Sequence, residues 1–206
     1  MPRSSDAREK LLAAARELLV QRAYSALGVA EICAAAGVPK GSFYYFFDSK
    51  QALALAVVDE HWAEQRVQWE QLLSAPRPPL ERLRDVFAAI ETALYASKQD
   101  RGAVVGCLFG NLALELSTQS EEIRARLEEI FDAQIAMIEH VIVQARDAGD
   151  ASPADPHEAA RSIVAQLEGQ VLFAKLLNAP EQIEAVWRNS LSILGAKQPS
   201  VSRQQT

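Results

Sequence analysis

Two groups of residues in this 206-residue chain could do chemistry. The first is Lys40-Gly41-Ser42-Phe43-Tyr44-Tyr45, with Lys50 a few residues on. Read as a helix opening at Pro39, this stretch exposes Lys40, Gly41, Ser42 and Tyr44 at its start. Helix N-termini and short hydroxyl side chains suit phosphate oxygens. Lys50 falls in the first turn of the following helix, where a cation opposes the helix dipole. A phosphate is the natural external partner for a charge placed there. The second group centres on Cys107, in Gly106-Cys107-Leu108-Phe109-Gly110-Asn111. Cys107, Asn111 and Glu115 lie four apart and share a helix face. A helix N-terminus and a nearby cation, here Arg101, lower a thiol's pKa and favour the nucleophilic thiolate. The more common role for such a cysteine is that of a small apolar residue in a tight core.

Enzyme chemistry finds little support. The histidines His61, His140 and His157 are scattered, no pair of Glu-x-x-His motifs marks a di-iron bundle, and no nucleophile motif is present. A catalytic pair of Cys107 with a distant histidine would need the fold to bring them together. The chain is therefore read as a non-enzyme with no metal and no cofactor. A purely structural helical adaptor would not need an exposed Ser-Phe-Tyr-Tyr cluster.

The elements that must position these residues are helical almost throughout. Alanine and leucine dominate, while Gly and Pro number nine each. A first helix with Leu11, Ala14, Ala15, Leu18 and Leu19 inward ends near Ala23–Tyr24. A short second helix runs from about Gly28 to Ala36, Gly37 supplies a turn, and a third begins at Pro39, whose missing N–H is not needed there. A helix, a tight turn and a second short helix presenting polar groups form the layout of a helix-turn-helix that reads the DNA major groove. A fourth helix, capped by Asp48 or Ser49, reaches Leu73 and is broken by Ser74–Pro79. A fifth carries Leu83, Val86, Phe87, Ile90 and Leu94 inward. A loop over Ser97–Gly102 precedes a sixth helix over AVVGCLFGNLALEL, in which Gly106 and Gly110 permit close packing. A seventh runs from the Ser117–Ser120 joint to Gly149. An eighth opens on the capping signature Asp155-Pro156 with Glu158 and ends near Asn178, and Pro180 opens a ninth. The fold class expected is all-α, with about nine helices. Residues 1–50 form a helix-turn-helix DNA-binding domain, 51–196 a sensing and dimerisation domain, and 197–206 a disordered tail.

The net charge of −6 argues against a protein that coats nucleic acid. Its distribution is uneven: residues 1–50 sum to +2 and the remainder to −8. A basic head on an acidic body suits contact with DNA at one end only. Two cysteines, Cys33 and Cys107, make neither a disulfide framework nor a zinc signature. No signal peptide and no apolar run of membrane-spanning length are seen, so no membrane partner and a cytoplasmic location are expected.

The pattern Ala36-Gly37-Val38, Lys40-Gly41-Ser42-Phe43-Tyr44-Tyr45, Phe47 and Ser49-Lys50 resembles the TetR family of bacterial transcription regulators. The resemblance implies that Ser42, Tyr44, Tyr45 and Lys50 touch double-stranded DNA. Ser42 and Lys50 would bind phosphates, and the tyrosines would bind phosphate or pack on thymine methyls. Lys40, Gly41 and Phe43 complete the expected contact set. Two departures remove polar contacts: Leu27-Gly28 stands where the family often has Thr-Ser, and Phe46 where it often has His or Tyr. The string GCLFGNLALELS further resembles a subgroup of that family whose members answer to electrophiles, N-ethylmaleimide among them. That likeness implies that Cys107 senses electrophiles and that Lys175, on the eighth helix, partners it. Without a reactive thiol, the expected effector is an apolar molecule among Trp62, Phe87, Leu108, Phe109 and Phe173. A homodimer is expected through the eighth and ninth helices, with Ala160, Val164, Leu167, Val171, Ile183, Trp187, Leu191 and Leu194 supplying the faces. The operator would then be near-palindromic.

Overall fold

The computed structural model describes residues 4–196, with side chains from residue 6 onward. The tail expected over 197–206 lies outside the described residues. Among the described residues the fold is all-α: α1 Ser4–Gln21, α2 Val29–Ala36, α3 Lys40–Phe46, α4 Lys50–Leu73, α5 Pro79–Arg101, α6 Leu108–Leu116, α7 Glu121–Asp147, α8 Pro156–Leu177 and α9 Glu184–Ile193. Two short 3-10 turns, Tyr24–Ala26 and Pro180–Ile183, precede α2 and α9.

The chain divides into two compact units. The first holds the residues up to Gln68 together with Val105–Ile130, so α6 and the opening of α7 cluster with the three N-terminal helices. Its core is built on Leu11, Leu12, Ala15, Leu19, Ile32, Phe43, Leu53, Val57 and Phe109, all buried. Gly37 closes α2 at φ 63°, a left-handed geometry that a Cβ would strain. Ser49 Oγ accepts the Ala52 N–H at 3.0 Å and caps α4.

The second unit comprises Trp69–Val104 and the residues from Phe131 onward. The prolines at 78 and 79 separate α4 from α5, with Pro79 in the first turn of α5. Buried Arg82 donates to the Leu73 carbonyl and to Gln144 Oε1, so a cation meets the C-terminal end of α4. Asp155 caps α8 by accepting the N–H groups of His157 and Glu158. Asn178 ends that helix in the left-handed region, at φ 51°.

Two boundaries differ from the sequence reading. Ser97–Arg101 continues α5 as helix, because these polar residues are acceptable helix formers and Gly102, at φ 74°, is the real stop. The sixth helix starts at Leu108, five residues later than the apolar string suggests. Gly106, at φ 82°, cannot continue a helix and instead turns the chain into it.

Candidate functional site

Most of the candidate contact residues stand on α3. Lys40 and Tyr44, and likewise Gly41 and Tyr45, stand four apart on its outward side, and all four are exposed. Tyr44 and Tyr45 retain 56% and 77% of their accessible surface. Ser42 is half-buried, and the space beside Gly41 is open within 4 Å of where a Cβ would stand. Phe43 departs from the contact set. It is fully buried, packing at 5.2 Å on Tyr44 and 5.9 Å on Phe47, so its role is to seat α3 rather than to touch DNA. Standing two residues from both Gly41 and Tyr45, about 200° around the helix, it falls on the inner side.

Lys50 also differs from expectation. Its ammonium donates to the carbonyls of Tyr24 and Leu27, at 2.9 and 2.8 Å, and lies 4.0 Å from the Tyr24 ring centre. Two of its three N–H donors are thus taken within the chain, which leaves at most one for a phosphate. The charge that looked misplaced against its own helix dipole has found carbonyl partners in a neighbouring turn.

Cys107 is the N-cap of α6. With φ −90° and ψ 129°, its Sγ accepts the Gly110 N–H at 3.5 Å, and the residue is partly exposed. The sulfur therefore sits at the positive end of the helix dipole, the setting that favours a thiolate. Asn111 donates from its amide to the Val105 carbonyl at 3.1 Å, fixing the strand of chain that enters the helix. In the second unit Asn178 pairs twice with the stretch that follows α5, accepting from Val104 N–H and donating to the Gly102 carbonyl. Cys33 is buried among α2 core residues, and burial pushes its thiol pKa up against the opposing charge of Lys40.

The remaining expected effector residues fall into separate groups. Trp62 and Phe109, both buried, meet edge to face at 6.4 Å in the first unit. Phe87 packs on Trp187 at 6.4 Å in the second. Phe173 and Lys175 are exposed on α8, so Phe173 is corrected from cavity wall to surface residue. The expected dimer faces are corrected too. Ala160, Val164, Leu167, Val171, Ile183, Leu191 and Leu194 are buried inside the protomer, where they pack α8 and α9 into their own core. The apolar residues that α8 leaves exposed are Leu172, Phe173, Leu176 and Leu177.

Two polar groupings join residues far apart in sequence. His61, on α4, accepts at Nδ1 from the Arg16 guanidinium of α1 at 2.9 Å and packs on Phe109 of α6 at 5.1 Å. Desolvation, helped by the Arg16 charge, lowers its pKa to about 4, so the ring is neutral at pH 7 and accepts. Glu115 receives the N–H groups of Tyr24 and Ser25, each at 2.7 Å. Desolvation acts to raise its pKa, but hydrogen bonds from Ser25 and Tyr24 and the charge of Lys50 outweigh it and hold the carboxyl below its usual range. Its spacing put it on one face with Cys107 and Asn111 and it is the sole charged residue of α6, but neither signal places it beside the Tyr24 turn.

A helix-turn-helix with tyrosines and a lysine displayed on its second helix, carried by an otherwise all-helical chain, defines a DNA-reading regulator. Comparison with known proteins makes this specific. Residues 11–57 match the model of bacterial regulatory proteins of the tetR family, and residues 79–190 match the tetracyclin repressor-like C-terminal domain. The HTH-type transcriptional repressor DhaR of Mycobacterium sp. strain GP1 is 32% identical over 86% of each chain. The crystal structure of regulatory protein TetR from Rhodobacter sphaeroides is 30% identical, with a TM-score of 0.83 over 91% of this chain and 98% of that one. The E. coli NemR structure in its reduced form is 28% identical, with a TM-score of 0.79 over 93% of this chain and all of that one. The chain belongs to the TetR family of DNA-binding transcriptional regulators.

Proposed function

We propose that this regulator is a repressor, released from its operator when an electrophile modifies Cys107. One observation carries the reading: a partly exposed sulfur serves as the N-cap acceptor of α6. A helix N-terminus stabilises the thiolate there, and a thiolate adds to an activated double bond such as that of a maleimide. The new C–S bond forms at one alkene carbon, and the adjacent carbon takes a proton from water. A sulfur so occupied can no longer accept the Gly110 N–H as it did, and the start of α6 must adjust. The repressor names of DhaR and NemR support the direction of regulation.

Lys40, Gly41, Ser42, Tyr44 and Tyr45 form the DNA contact surface in this reading, with Lys50 contributing chiefly by holding the turn before α2. The dimer forms through the outward face of α8, where Leu172 and Leu176, and Phe173 and Leu177, repeat at four-residue spacing. A two-fold axis through that face presents two α3 helices to successive major grooves, roughly 34–36 Å apart.

Cys107→Ser tests the proposal, because a serine hydroxyl is itself a good N-cap and should leave stability within about 0.5 kcal/mol of wild type. N-ethylmaleimide should lower operator affinity of the wild-type protein at least tenfold in gel-shift titrations and leave the serine variant unchanged. Equal release of both proteins would instead favour a non-covalent apolar effector, with Cys107 acting only as a cap.

A further inference from the structure

Helix α2 begins without a side-chain cap, since Gly28 occupies its N-cap position. The turn that delivers the chain to it, Tyr24–Ala26, is fixed from outside by two opposite charges. Glu115 of α6 holds the N–H groups of Tyr24 and Ser25, both at 2.7 Å. Lys50 of α4 holds the carbonyls of Tyr24 and Leu27, at 2.9 and 2.8 Å. Such charge-assisted bonds are about twice as strong as neutral ones. Four backbone groups within four consecutive residues are thus gripped from two different helices, immediately ahead of the helix-turn-helix. Glu115 stands at the far end of α6 from its cap, Cys107. A nine-residue helix is a rod about 13 Å long, stiff enough to move as one body.

We infer that Glu115 is the positioning residue that couples the start of α6 to the reading helices, by clasping the Tyr24–Ala26 turn against Lys50. The inference rests on the reading of α6 as the sensing helix of a DNA-binding regulator. A shift of α6 by about 1 Å carries two 2.7 Å bonds out of hydrogen-bond range. Of the two grips on this turn from α4 and α6, only that of Lys50 then remains, and α2, which has no side-chain cap of its own, loses half of what fixes its entry. Coupling of this kind is reciprocal, so DNA on α3 must alter the environment of Cys107 as surely as a change at Cys107 alters DNA affinity.

The reciprocal direction needs no knowledge of the natural effector. A duplex is first selected from a randomised pool by the full-length wild-type protein. The rate of Cys107 alkylation by N-ethylmaleimide is then followed by mass spectrometry of its peptide, with and without saturating duplex. Saturation should change the rate at least about fivefold in wild type and less than twofold in Glu115→Gln and Glu115→Ala. Amide exchange gives a second readout that requires no variant: alkylated wild type should exchange the Tyr24 and Ser25 N–H faster than unmodified protein. A wild-type rate indifferent to DNA, variants with the wild-type ratio, or unchanged exchange at Tyr24 and Ser25 would each overturn the coupling. Should the chain select no duplex at all, the regulator reading beneath it falls as well, which separates the two failures.

Discussion

Neighbouring residues of α3 divide cleanly between exposed and buried. Tyr45 and Phe43 are two positions apart on α3, yet one is largely exposed and the other fully buried. Tyr45→Ala should therefore weaken operator binding about tenfold with a stability change within about 0.5 kcal/mol. Phe43→Ala should lower the unfolding free energy by about 3–5 kcal/mol in urea titrations, and reduce DNA binding only through the loss of fold. His61 offers a second test. Its pKa falls to about 4 in the folded chain, against about 6.5 when unfolded. Because the folded value is the lower one, the stability tied to the neutral ring is complete above about pH 6.5 and is lost as pH drops toward 4. Between pH 7 and pH 5 wild type should lose about 2 kcal/mol that His61→Gln does not, since Gln can also accept from Arg16 but does not titrate. Equal losses in the two proteins would show that His61 is solvated in solution. None of the pairings behind these predictions was legible in the sequence. Arg16 lies 45 residues from His61 and Tyr24 lies 91 from Glu115, and periodicity carries no information about which distant charges meet.

At the scale of elements the sequence is far more readable. The inward stripes of α1 and α5, the Ser49 and Asp155 caps, the break at Ser74–Pro79 and the Gly37 turn all follow from apolar spacing and from the φ needs of Gly and Pro. The start of α6 was misread because Ala103–Gly106 continues an apolar run that resembles helix, and only the positive φ of Gly106 reveals the turn. Helix α8 shows a different limit. It is apolar on two sides, and hydrophobic spacing alone does not say which side faces its own protomer. The buried side proves to be Ala160, Val164, Leu167 and Val171. Leu176→Glu, on the side left open with 72% of its surface exposed, should convert a dimer to a monomer in sedimentation velocity with helicity unchanged. A dimer that persists at low micromolar concentration would place the two-fold contact elsewhere.

The whole molecule combines a weakly basic head, +2 over residues 1–50, with a body of −8. A chain of net −6 would be repelled by a phosphate backbone unless its contacts were confined to a small, oriented surface. Family membership and the all-α architecture were both readable from the α2–α3 motif and the helical spacing, because a reading head must keep its contact residues at fixed positions. The sensing chemistry was less readable, because a cavity or a reactive thiol depends on packing among helices distant in sequence. The central claim is that α3, presented twice by a dimer, reads duplex DNA. Its most direct measurement is binding of the intact protein to a selected near-palindromic duplex across 50–200 mM salt, with stoichiometry determined at each point. The account predicts two chains per duplex and an affinity that falls at least about 100-fold over that range, while a scrambled duplex binds far more weakly. One chain per duplex, an affinity indifferent to salt, or equal binding to the scrambled sequence would contradict it.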